Sequence, residues 1–199
     1  MRDIALFCED SFHEAYAKAL ILRICAEVEL AANLKTYSAT GGLPRMHHEF
    51  ERFLRDMQRN IVAMPDILVV VLDANCVGYV QRRKLIDQVV EKYPQLGPPV
   101  VVGIPDPHIE RWMMVDPVAF KKVFSSGCTL PAIKCEKDLY KGLLRDEITR
   151  GGTVPSLGGQ EYAEDIVSHL SVKSINDENS LRLFAHELRQ HLLQLKQRQ

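Results

Sequence analysis

No stretch of this sequence approaches the roughly 20 apolar residues that a bilayer crossing requires. The opening MRDIALFCED carries a carboxylate where a signal peptide would be hydrophobic, so a cytoplasmic protein without a membrane partner is expected. Neither sign of charge dominates: 25 basic residues face 26 acidic ones, for a net charge of -1 with histidine neutral. Any surface for nucleic acid must then be a local patch, because the overall balance exerts no long-range pull on phosphates. The five cysteines, Cys8, Cys25, Cys76, Cys128 and Cys135, are odd in number and contain no C-x-x-C pair. That spacing excludes the usual zinc ribbons and argues against a disulfide framework, leaving reduced and mostly buried thiols as the expectation. The Gly151-Gly152 and Gly158-Gly159 pairs lack a following Lys-Ser or Lys-Thr, which excludes a P-loop and the ATP hydrolysis it supports. Repeats and low-complexity tracts are absent.

What is present is a regular alternation. The 199 residues are 46% hydrophobic, enough for one good-sized domain with an appendage. IALFC at 4–8 reads as a buried strand, and residues 13–28 place Tyr16, Leu20, Ile24 and Val28 on one helical stripe. A short strand at 33–39, stopped by Gly41 and Gly42, precedes an amphipathic helix in which Met46, Phe50, Phe53, Leu54, Met57 and Ile61 share a face. A strand at 67–72, a helix at about 77–93 and a strand at 98–104 complete the series. Continuously apolar strands separated by helices predict an α/β fold, a parallel four-stranded sheet flanked by helices on both faces. Beyond residue 105 the pattern turns helical: 108–124 with Pro117 interrupting, 137–148, 161–170 and 180–195, around a glycine-rich loop at 150–160. The expected organisation is a sheet domain over 1–116 and a helical C-terminal extension over 117–199 packed on the same domain.

In a parallel sheet, function collects at the carboxyl ends of the strands. Three strands here run into acids at that edge: Glu9-Asp10, then Asp73-Ala74-Asn75, then Asp106, with Glu110 one turn on. Carboxylates brought together repel unless a cation lies between them, and hard oxygen ligands suit Mg²⁺ or Mn²⁺. Each acid alone also has a structural reading, because Asp is a common helix N-cap.

The order of elements, with Glu9 after the first strand and Asp73-x-Asn75 after the third, resembles the Toprim fold of topoisomerases, primases, RecR and OLD nucleases. IALFCEDSFHEAY is similar to the family phrase in which a strand ends in Glu-Gly and an acid recurs in the helix; the matching positions are Glu9, Asp10, His13 and Glu14. VVGIPDPHIERWMMVD resembles small Toprim-like proteins of bacterial defence islands, in which a proline-rich turn leads to a Glu-x-Trp helix. The resemblance covers roughly residues 3–116. Asp10 stands where the family usually has Gly, and Asn75 replaces the second Asp of its D-x-D pair. The resemblance implies a Mg²⁺- or Mn²⁺-dependent nuclease cleaving DNA or RNA, the effector of an antiviral defence or toxin system paired with a separate ATPase. Glu9 and Asp73 would be primary metal ligands, with Asn75, Glu110 and Asp106 completing the site and Glu14 as outer support or base. Arg82, Arg83 and Lys84 would hold flanking phosphates.

Four further features bear on the site. His108 is placed to donate a proton; of the neighbours His47 and His48, only one can face the site, since adjacent helical residues diverge by about 100°. Cys8 should be buried, and Trp112 should anchor the helical extension more than it stacks a base. Rival readings are a non-catalytic Toprim-like module that binds nucleic acid or a partner, and another acidic hydrolase such as a PIN-like ribonuclease or a phosphatase. An aspartyl phosphatase wants a D-x-D near the N-terminus, where this chain has Glu9-Asp10.

Overall fold

The computed structural model describes residues 1–39, 42–130, 132–136 and 138–198, with backbone alone for 42–44. The expected strand stop at Gly41 and helix start at Lys137 lie outside the described residues. Four strands, β1 (Arg2–Cys8), β2 (Ala32–Ser38), β3 (Ile67–Val71) and β4 (Val100–Gly103), form an all-parallel sheet in the order β2-β1-β3-β4. Around it lie α1 (Ser11–Glu27), α2 (Gly42–Gln58), α3 (Tyr79–Val90), α4 (Ile109–Met113), α5 (Pro117–Phe124), α6 (Leu139–Arg150), α7 (Ala163–His169), α8 (Val172–Asp177) and α9 (Asn179–Gln197). The α/β fold with a parallel sheet and C-terminal helices is as the alternation predicted.

The central strands explain the sheet. Ile4, Leu6 and Cys8 of β1 and Ile67, Val69 and Val71 of β3 pack into one core with α1 and the C-terminal helices. Ala5, Phe7, Leu68, Val70 and Leu72 point the other way, against Met46, Phe50 and Leu54 of α2 and Ile86 of α3. Every residue of β3 is at most 1% exposed, which only a strand covered on both faces permits. Burying each such side chain contributes roughly 1.5–3 kcal/mol. On the first face, Trp112 is fully buried, stacks on Phe184 of α9 and donates from Nε1 to Ser180 Oγ at 2.8 Å. It is thus a core anchor. Gly103 lets α9 come close, since a Cβ there would lie 3.1 Å from the Phe184 ring.

Several boundaries differ from expectation: α2 ends at Gln58, which leaves Ile61 outside the helix and 68% exposed rather than on its buried face. Two other differences share a cause. Helix α1 begins at Ser11, two residues early, because Asp10 accepts from the Phe12 and His13 amides at 2.9 and 3.1 Å. Pro117 starts a helix and does not break one: Asp116 caps α5 through the Val118 and Ala119 amides, and Pro117 takes the first helical position, where a missing N–H costs nothing. Asp116 also accepts from the Ser171 amide at 2.8 Å, tying α5 to the start of α8, a helix the pattern did not reveal.

The cysteine expectation needs correction. Cys8, Cys25 and Cys128 are free and buried, but Cys76 and Cys135 form a disulfide with a Cα–Cα distance of 5.4 Å. Both are exposed, and the bond joins the turn after β3 to the segment entering α6. Among the described residues no helix is long and apolar enough to cross a membrane.

Candidate functional site

The carboxyl edge of the sheet is level by register: Ser38 pairs with Cys8, Cys8 with Val71, and Val71 with Gly103. Pairing continues past the strand ends, with Leu72 N–H donating to Gly103 O, Ala74 N–H to Pro105 O and Asn75 N–H to Pro107 O at 2.8–3.1 Å. This backbone zipper sets Asp73 against the 105–109 segment. On its other side the Asp73 amide donates to Glu9 Oε2 at 3.1 Å, so the first and third strand ends share a carboxylate contact.

Asp73 is the hub. Its Oδ1 meets His13 Nε2 at 2.9 Å and accepts from the Ile109 amide at 2.8 Å, while Oδ2 meets His108 Nδ1 at 2.8 Å. His13, only 1% exposed, also meets Asp10 Oδ1 through Nδ1 at 2.7 Å, so its ring bridges two carboxylates. Burial works against an imidazolium, but the charge of Asp73 and the bonds to Asp10 and Asp73 outweigh it, and His13 titrates well above its ordinary range. The same contacts act in return. Burial opposes ionisation of Asp10 and Asp73, yet His13 draws both carboxyls down, Asp10 to about 2. The bond to Asp73 raises His108 against the effect of its own burial. Glu9 and Glu110 are pushed up by desolvation, which outweighs the backbone hydrogen bond that each carboxylate accepts.

These groups fall into two overlapping triads. Glu9, His13 and Asp73 form one, and Asp73, His108 and Glu110 the other; in each, three oxygen or nitrogen atoms lie within 4.8 Å of one another. The cleft over them measures about 380 Å³ and is also lined by Asn75, Cys76, Glu136, Asp138, Tyr140 and Lys141. The donor chemistry, carboxylate oxygen with imidazole nitrogen and one carboxylate common to both groups, fits a pair of divalent cations.

Of the acids expected here, the structure brings Glu9, Asp73 and Glu110 together. Asn75 lines the cleft, with a left-handed φ of 52°. Asp106 lies outside the cleft lining and the triads; the Tyr79 amide hydrogen-bonds to it. Glu14 faces the second strand, accepting from Ser38 Oγ at 2.5 Å. The basic run on α3 is divided. Arg82 is buried, donates to Ala74 O at 3.3 Å, and lies beneath the edge where its charge acts on Glu9 and Asp73. Arg83 pairs with Asp87 and Glu187, and Lys84 is exposed. His47 is partly buried, and that burial, with Arg82 nearby, lowers its pKa.

Sequence reasoning assigned His13 no role. A signal existed, since Asp10 and His13 stand three apart on the first turn after a strand, where their side chains meet. Comparison with family models, curated proteins and solved structures gives no match.

Proposed function

We propose that this protein is a metal-dependent nuclease that cleaves phosphodiester bonds, with Mg²⁺ or Mn²⁺ held by Glu9, Asp73 and Glu110, and by His13 and His108 once the cation displaces their protons. The observation that carries this reading is the pair of triads sharing Asp73 at the end of three strands. Six carboxylates line the cleft, Glu9, Asp10, Asp73, Glu110, Glu136 and Asp138, against His13, His108 and Lys141, so further cations would offset the acidic excess that opposes a phosphate. A bound cation would hold Glu9 and Glu110 ionised, polarise the phosphate and supply hydroxide from water. The chain's residues would position these groups: the Ile109 amide and the zipper of 72–75 against 103–107 hold Asp73, and the Asp73 amide holds Glu9. With no P-loop in the sequence, energy-driven control would come from a separate ATPase, as for a defence or toxin effector; the Cys76–Cys135 bond, of a kind rare in a reducing cytosol, does not favour the cytoplasmic placement expected from the sequence.

A second reading has its own observation. Both Asp73 oxygens are already engaged by His13, His108 and the Ile109 amide, so the acids are balanced without metal, as a non-catalytic binding module would need. Mn²⁺ titration separates the two. The nuclease reading expects two bound ions, one lost in Glu9→Ala, the other in Glu110→Ala, and both in Asp73→Ala. Absence of Mn²⁺ binding by the wild type favours the module.

A further inference from the structure

A second groove opens from the acidic cleft along α6. It shares Asp10, Glu110, Asp138 and Lys141 with the cleft, so the two are continuous, and it adds Arg145, Phe12 and Leu157. Lys141 has no hydrogen-bond or ion-pair partner among the described residues, although its charge acts on Glu110 and His108. Arg145, one turn along the same helix, has a single loose contact, Nε to Asp146 Oδ1 at 3.6 Å, with its side chain 67% exposed. These cations are free to meet a ligand, whereas Arg82 is buried and Arg83 is engaged by two acids.

The far wall of the groove is fixed in advance. Glu161 gathers the amides of Ser156, Leu157 and Gly159 at 2.6–3.0 Å, and Gly158 and Gly159 take φ of 71° and 105° to make that turn. Ser11 Oγ donates to Gln160 at 2.9 Å and ties the loop to the start of α1. On this ordered loop Leu157 is 59% exposed, and Phe12 is half-buried across from it. Free cations along one side and an aromatic and an aliphatic surface along the other are what an unpaired nucleic-acid strand needs, phosphates on the former and base faces on the latter.

We propose that the α6 groove is the track for a single nucleic-acid strand, with Lys141 and Arg145 holding phosphates that flank the one brought to the acidic cleft. This rests on the nuclease reading and deepens it: the substrate is single-stranded and arrives over α6, not over α3. Two positions one turn apart on a helix have Cβ atoms about 5–6 Å apart, and their long side chains reach successive phosphates of an extended strand.

The test is fluorescence anisotropy of a short labelled oligothymidylate with the full chain in Ca²⁺, which occupies oxygen ligands. The double variant Lys141→Glu/Arg145→Glu is expected to bind at least tenfold more weakly. With two phosphate contacts gone, the slope of log K against log salt should flatten by about 1.4, at 0.7 per contact on a single strand. Lys122→Glu on α5 serves as the control, expected within twofold of wild type, and circular dichroism checks that every variant is folded. Wild-type affinity in the double variant overturns the proposal, as does loss of binding in Lys84→Glu in its place, or tighter binding of the matching duplex. If the wild type binds no oligothymidylate the track is also wrong, and the Mn²⁺ titration then says separately whether the metal reading stands.

Discussion

Replacing His13 removes the ring that bridges Asp10 and Asp73, and His13→Gln does so while keeping a donor of similar reach. The ring is 1% exposed and sits 2.7 and 2.9 Å from the two carboxylates. Removing one partner of a buried ion pair costs about 3–5 kcal/mol. The low end applies, because the Asp10 side chain is 51% exposed and water can take its freed oxygen, while Asp73 keeps His108 and the Ile109 amide. We expect a loss of about 3 kcal/mol, or a Tm lower by about 6–12 °C for a chain of this size. Urea and thermal unfolding in EDTA measure it without interference from metal. The sign of the pH dependence follows from a folded-state pKa raised above the ordinary 6.5. The stabilisation is fully present below about pH 6.5 and is lost as pH rises through the folded value, so variant and wild type converge in alkali. A gap under about 0.5 kcal/mol at pH 6, the size of an ordinary surface change, or a gap that widens in alkali, would refute an imidazolium at this position.

Asp116 makes the opposite prediction for acid. Bound by the Val118, Ala119 and Ser171 amides, which outweigh its burial, its carboxyl is lowered from 3.8 to about 2. At 1.36 kcal/mol per pH unit, Asp116→Ala should cost about 2 kcal/mol at pH 7, and denaturation in acid should show this gap vanishing as pH falls through about 2. The Cys76–Cys135 bond closes a loop of 59 residues, for which chain entropy gives up to about 4 kcal/mol. Cys76→Ser should lower the urea midpoint, and dithiothreitol should do the same to the wild type and nothing to the variant.

The sheet was legible because apolar runs of strand length can hardly be anything else when helices separate them, and β3 is the clearest case. The edge acids were legible for the same reason: once strand ends are located, Glu9, Asp73 and the 105–110 segment follow. What was hidden depended on contacts between distant segments. Cys76 and Cys135 look unrelated in sequence because nothing local says that the segment before α6 returns over the turn after β3. Arg82 was read with Arg83 and Lys84 as one basic patch, yet it lies four residues before Ile86 and seven before Val89, on the buried stripe of α3. That periodicity outranked its charge. Lys141 carried no signal at all, since its placement depends on α6 packing against α4.

The proposed nuclease requires Asp73 to hold cations that act on a phosphodiester. Cleavage of an end-labelled single-stranded oligonucleotide in Mn²⁺, by wild type and by Asp73→Asn, tests it most directly. We expect Mn²⁺-dependent cutting by the wild type, abolished by EDTA, and at least about a hundredfold slower cutting by Asp73→Asn, which corresponds to roughly 3 kcal/mol of lost transition-state stabilisation. Cutting that survives EDTA, or that proceeds at the wild-type rate in Asp73→Asn, would contradict it, as would a wild type that binds Mn²⁺ and the oligonucleotide yet leaves the strand intact.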